Sequence, residues 1–128
     1  MKTYDADIRK LLYKYFLTKK EFSNTSTFII NEMDICANSS RVDIAVINKY
    51  MYGFEIKSKQ DSLERLPSQI VADNKTFDFV TIVAFESHLP NILKMVPDWW
   101  GIIKVFEQDG NILLQVIREG EVNYSHLP

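Results

Sequence analysis

Arg41-Val42-Asp43-Ile44, with Gly53-Phe54-Glu55-Ile56-Lys57-Ser58 close behind it, is where the architecture of this chain can be read. Both segments have the alternation of β-strands. Successive side chains of a strand leave opposite faces, so Glu55 and Lys57 share one face while Phe54 and Ile56 point into a core. Opposite charges on a strand whose other face is apolar cost desolvation unless they serve something. Hairpin parity then ties the two segments together. Cross-strand partners share a face, so Asp43 meets Glu55 only across a loop with an odd number of residues. A three-residue loop, Asn48-Lys49-Tyr50, sets Asp43 opposite Glu55. A two-residue loop would instead set it opposite the core residue Ile56.

Working outward, Tyr4 to Leu17 repeats Ile8, Leu11, Leu12, Tyr15 and Phe16 at helical spacing, with Arg9, Lys10 and Lys14 between them on a basic outer face. Thr25 to Cys36 is β-like, Asn38-Ser39-Ser40 is a turn cluster, and Arg41 to Ile47 and Tyr50 to Ser58 are strands. A turn is expected around Ser62. Pro67 suits the first turn of a helix running from Leu66 to Thr76. Asp78 to Phe85 is a near-continuous apolar run, as expected of a central strand buried on both faces. Leu89 to Met95 is helical in period. Trp100 to Phe106 and Ile112 to Ile117 are two more strands, joined by a turn at Gln108-Asp109-Gly110-Asn111. The order α-β-β-β-α-β-α-β-β predicts a single α/β domain over residues 1–128, with a central mixed sheet flanked by helices.

Composition bounds this reading without directing it. The chain has 128 residues, 46% hydrophobic and 25% charged, which suits one soluble domain with one core. Its lone cysteine, Cys36, excludes an intramolecular disulfide framework and any cysteine-rich zinc site. Met1-Lys2-Thr3-Tyr4-Asp5 lacks the apolar core of a signal peptide and no stretch suits a membrane span, so a cytoplasmic location is expected. A net charge of −2 argues against a general nucleic-acid coater but not against an enzyme whose carboxylates are neutralised by a divalent ion. With four glycines, none in a phosphate-loop pattern, nucleotide-binding folds are unsupported.

Two carboxylates and a lysine converging at a strand end suit phosphodiester hydrolysis. Mg²⁺ or Mn²⁺ takes oxygen ligands and keeps several waters, so Asp43, Glu55 and the backbone carbonyl of Ile56 would suffice with a substrate phosphate. Lys57, one pleat beyond Glu55, is placed to hold the attacking water and to stabilise the charge of the transition state. Glu32 on the preceding strand is the third carboxylate, with Asp34 as its competitor. Arg41, Lys59 and Arg65 are candidate phosphate contacts, Arg65 first among them because a guanidinium grips phosphate bidentately.

The pattern Arg-x-Asp-Ile, then Glu-Ile-Lys-Ser, then a helix bearing Gln69 resembles the PD-(D/E)xK nuclease superfamily. The resemblance covers about Phe28 to Val105. It implies a restriction-endonuclease-like αβββαβ core, a metal site built on Asp43, Glu55 and Lys57, and often an upstream Glu, here Glu32. The segments Asp61–Gln69 and Val96–Ile102 look like a small bacterial and phage family of largely uncharacterised nuclease-like proteins. Some superfamily branches carry Gln-x-x-x-Tyr on the helix after Glu-x-Lys. Gln69 is carried over as an assisting residue, but Asp73 stands where the Tyr would be, and Val42 stands where a Pro precedes the catalytic Asp. The implied activity is cleavage of DNA, or of RNA, and a two-fold duplex suits a homodimer.

The remaining conspicuous residues have ordinary readings. His88 and His126 are expected at the surface, Cys36 as a structural thiol, and Trp99-Trp100 as a cap on the core rather than a base-stacking platform. The rival function is a catalytically idle binding or inhibitor protein on a nuclease fold, acting through nucleic-acid or protein partners.

Overall fold

A computed structural model describes residues 5–23 and 26–123. His126 and the expected element starts at Tyr4 and Thr25 lie outside the described residues. The elements run α1 (Asp5–Thr18), a 3₁₀ turn (Lys20–Phe22), β1 (Phe28–Ile35), β2 (Ser40–Ile47), β3 (Met51–Lys57), α2 (Leu66–Thr76), β4 (Phe79–Phe85), a second 3₁₀ turn (Glu86–His88), α3 (Leu89–Met95), β5 (Gly101–Gln108) and β6 (Asn111–Arg118). The helices expected over 66–76 and 89–95 are found at those bounds, each opening with a proline in its first turn. No helix among the described residues is long and apolar enough to cross a membrane.

All six strands form one mixed sheet in sequence order. β1–β2, β2–β3 and β5–β6 pair antiparallel, while β3–β4 and β4–β5 pair parallel. A parallel pair needs a crossover, and α2 and α3 supply the two. The sheet therefore has a core on each face. One packs Leu66 and Ala72 of α2 and Ile92 of α3 on Ala45, Val80, Ile82 and Trp100. The other packs Ile8, Leu12 and Phe16 of α1 on Ile44, Phe54, Ile56 and Val83. This is an α/β fold whose first six elements follow the αβββαβ order, with helices covering both sides of the sheet.

The hairpin register follows the odd-loop expectation. Ile47 pairs with Met51 and Ile44 with Phe54, which leaves Asn48-Lys49-Tyr50 as the loop. Phe54 and Ile56 face α1, as alternation requires. The face shared by Glu55 and Lys57 is not open to solvent, because α2 lies over it: Glu55 is 0% and Lys57 5% exposed. Trp100 closes the α2–α3 core, with its Nε1 donating to Asn74 Oδ1 at 2.8 Å.

A polar cleft at the diverging ends of β2 and β3

The β2–β3 ladder stops at Ile44–Phe54, although β2 begins at Ser40 and β3 continues to Lys57. The strands part at Asp43. Its Oδ2 takes the place of a backbone acceptor and receives the Ile56 N–H at 2.7 Å. A residue's N–H and C=O leave the same edge of a strand, so the Ile56 carbonyl is directed into the same gap. On the other side of β2 the pairing skips Glu32 and Asp43, between Asn31–Ile44 and Met33–Val42. Glu32 has a left-handed backbone, φ 55°, costly for a residue with a Cβ. The pleat breaks there: Ile44 belongs to the α1 core but Val42 to the α2–α3 core.

Two polar clefts open at this break. One, of about 270 Å³, is lined by Asp43, Ile56, Lys57 and Gln69 together with Arg9 and Arg65. Its neighbour, of about 310 Å³, shares Glu32, Asp43, Arg65 and Gln69 with it and extends past Ser40, Arg41 and Ser68. Beyond Lys57 the chain is turned by Asp61, whose Oδ2 accepts from the Ser58 N–H at 2.8 Å and the Ser58 hydroxyl at 3.0 Å.

Behind the cleft wall lies a pair of carboxyls. Glu55 and Asp73 are both 0% exposed, and no N–H or hydroxyl among the described residues reaches any of their four oxygens. Each is the other's polar neighbour. Burial, and then Asp73, push the Glu55 carboxyl up to about 12, while burial raises Asp73 to about 6. The pair thus holds a proton at neutral pH, because two carboxylates this close in a dry interior cannot both ionise. Asp43 is also raised, by burial first and by the negative charge of Glu32 and Asp5, against the lowering effect of the Ile56 N–H and of Arg9.

Sequence reasoning missed Asp73. The signal was there, since Gln69 and Asp73 are four residues apart on one helix and share a face. Gln69 itself is 9% exposed, with its Oε1 unpartnered among the described residues.

It also placed Arg9 wrongly, on a solvated basic face. The Arg9 side chain is 14% exposed and reaches into the cleft. Its Nε donates to Asp5 Oδ2 at 2.6 Å and its Nη1 to Asn31 Oδ1 and the Asp43 carbonyl, both at 3.0 Å. Its Nη2 donates to Glu32 Oε1 and lies 3.7 Å from Asp43 Oδ1. Amphipathic periodicity reports which side of a helix faces the sheet, not how far a long cation on the margin reaches.

The other expected residues divide. Glu32 lines the clefts but is turned to Arg9 rather than to Glu55. Asp34 is out of contention, accepting from Arg41 Nε at 3.0 Å on the exposed side of β1. That bond also engages Arg41. The Lys59 ammonium lies 5.2 Å from the centre of the Phe85 ring. Arg65 lines both clefts. His88 does more than decorate the surface, since its Nε2 is 2.8 Å from the Ser58 carbonyl and braces the end of β3. Cys36 packs 3.7 Å from the Ala72 carbonyl and Thr76 Oγ1, as a structural thiol would.

Among the described residues no three His, Cys, Asp or Glu side chains gather closely enough to hold a metal. The donor chemistry nonetheless suits a hard cation. Asp43 Oδ1, the Ile56 carbonyl and the orphaned Glu55 oxygens are all oxygen ligands of the type Mg²⁺ and Mn²⁺ prefer. Buried oxygens without donors require either a proton or a cation.

Three similarities to known proteins bear on this chain. The family described as Bacteriophage P4 protein cII matches residues 1–126. Protein cII of Enterobacteria phage P4 is 34% identical over 107 residues, which is 84% of this chain and 40% of that protein; the chain thus spans well under half of that relative's length. Among solved structures, that of Pyrococcus furiosus SfsA in complex with Ca²⁺ matches with a TM-score of 0.46 and 14% identity, over 89% of this chain and 61% of that one.

Proposed function

The chain belongs to the bacteriophage P4 protein cII family, and within that family we propose that it is a divalent-metal-dependent nuclease of the PD-(D/E)xK type, hydrolysing phosphodiester bonds in DNA, with RNA as the other substrate class. The observation that carries this reading is the joint placement of Asp43, the Ile56 edge and Lys57 on one polar cleft, with the donor-free, buried Glu55 carboxyl near enough to feel the charges of Asp43 and Lys57. A structural strand end has no use for a nearly buried lysine beside a fully buried carboxyl.

Asp43, Glu55 and the Ile56 carbonyl would hold Mg²⁺ or Mn²⁺. The ion, when bound, polarises the scissile phosphate and makes bound water acidic. Lys57 holds the attacking water by a hydrogen bond and offsets the charge that develops on the phosphate. Gln69, with its Oε1 aimed at no partner among the described residues, orients water or a phosphate neighbour. Arg65 grips a flanking phosphate where the two clefts meet, Arg41 extends the cationic rim of the second cleft, and Lys59 follows Lys57 by two residues in the chain. Glu32 acts through Arg9 on this reading, since that is where its carboxylate is bonded.

The test is cleavage of plasmid, linear duplex and single-stranded DNA, and of RNA, with Mg²⁺ or Mn²⁺, wild type beside Lys57→Ala. The expected result is metal-dependent cleavage that falls by about 100-fold or more in Lys57→Ala, with an unchanged circular dichroism spectrum. The rival, an idle binding protein on the same fold, is favoured by one observation: Arg9 already neutralises the Glu32 side of the cleft. No cleavage of any substrate, together with no Mn²⁺ uptake by calorimetry, would overturn the nuclease reading in its favour.

A further inference from the structure

Arg9 and Arg65 both line the cleft, yet their surroundings differ in kind. Arg65 is exposed at the mouth. Arg9 is wrapped by acceptors from three elements: Asp5 of α1, Asn31 and Glu32 of β1, and Asp43 of β2. A guanidinium has five N–H donors in a rigid fork. Here each of its nitrogens is bonded to protein oxygen, so little of the fork is left for a phosphate.

We propose that Arg9 is a resident cation on the Glu32 side of the cleft, holding the place of a second divalent ion, so that the chain takes one metal ion rather than two. This rests on the nuclease reading of the same site. Charge supports it. Arg9 offsets one of the three negative charges that Asp5, Glu32 and Asp43 bring around it, charge that a second cation would otherwise be needed to offset. Geometry supports it too. Arg9 engages Asp43 from the Oδ1 side and through its main-chain carbonyl, while Oδ2 is committed to Ile56. The Glu32 carboxylate, the obvious ligand for a second ion, is consumed by Nη2. The Glu55 oxygens, which no donor among the described residues reaches, take no part in the Arg9 cluster. The charge fills the place and the fork only fixes its position, so lysine here would keep the charge while releasing some of the acceptors.

The experiment is Mn²⁺ titration by calorimetry of the wild type, Arg9→Gln and Arg9→Lys, each checked for folding by circular dichroism, with electron paramagnetic resonance of the loaded wild type. The expected result is one ion per chain in the wild type, two in Arg9→Gln and one in Arg9→Lys. The wild-type resonance should be that of an isolated Mn²⁺, a readout that needs no variant to fold. Two coupled ions in the wild type would overturn this inference and leave the nuclease reading standing, as would a folded Arg9→Gln that still takes one. No ion in the wild type but one in Arg9→Gln would overturn the one-ion count and the metal dependence of the native chain together. No ion in either would overturn both.

Discussion

Glu55 and Asp73 are each an unfavourable residue where they stand, and together they make the site's charge state depend on pH. Glu55 ordinarily titrates near 4.5 but in the fold is pushed up to about 12, and Asp73 rises from 3.8 to about 6. A carboxyl raised on folding binds its proton more tightly in the native than in the unfolded chain. Native protein then holds more protons, and stability falls as pH rises. The penalty is absent below the unfolded values and grows upward from about pH 4 to 5. Glu55→Gln and Asp73→Asn each lessen it, by removing one of the two buried carboxyls. Both are expected to melt higher than wild type at pH 8, by roughly 4 °C for each kcal/mol recovered, and to converge on it at pH 4.5. Melting temperatures across pH 4.5–8 check this; a constant offset would contradict the shared-proton account. Alternation and parity made Asp43, Glu55 and Lys57 legible, because those rules are local. Asp73 was half legible, through its spacing from Gln69. Arg9 was not, because its role depends on two strands that are distant from it in the chain.

Among the elements, β3 is tightly constrained at Gly53. A Cβ at Gly53 would come within 2.7 Å of the Phe77 ring, and Phe77 is itself 0% exposed with nowhere to move. Gly53→Val is expected to cost about 1–3 kcal/mol, read as a lower urea midpoint with an unchanged slope. Since β3 also bears Glu55 and Lys57, the same variant should lower activity at elevated temperature before it lowers it in the cold. β1 behaves differently, because it is the outer strand of the sheet and shows Phe28, Ile29 and Ile30 at 64%, 45% and 38% exposure. An apolar outer strand offers unpaired backbone groups to another chain. Light scattering is expected to show association that grows with concentration and is suppressed in Ile29→Lys. A wild type that stays monodisperse at high concentration would remove the argument.

For the molecule as a whole, the net charge of −2 means that attraction to nucleic acid must be local. Three cations, Arg41, Lys59 and Arg65, meet phosphates on the nuclease reading, Arg41 by giving up its bond to Asp34. The logarithm of the binding constant should then fall with the logarithm of salt at a slope of about −2 to −3, and Arg65→Ala should lower that slope by about 1. Fluorescence anisotropy with a short duplex and Ca²⁺ in place of Mg²⁺ measures it; an unchanged slope would place Arg65 off the path.

The strand and helix order, the three-residue hairpin loop and the buried central strand could all be read from the chain itself, because each rests on the side-chain period or on local backbone preference. The residues that meet behind the cleft could not. Glu55 finds Asp73 only because the crossover from β3 to β4 lays α2 over that face of the sheet. Arg9 finds Glu32 and Asp43 only because α1 packs on the other face, beside the break in the β1–β2 pleat. Burial then sets the protonation of the one pair and saturates the donors of the other. Desolvation and charge coupling act through space, so they follow from the packed fold and not from spacing along the chain.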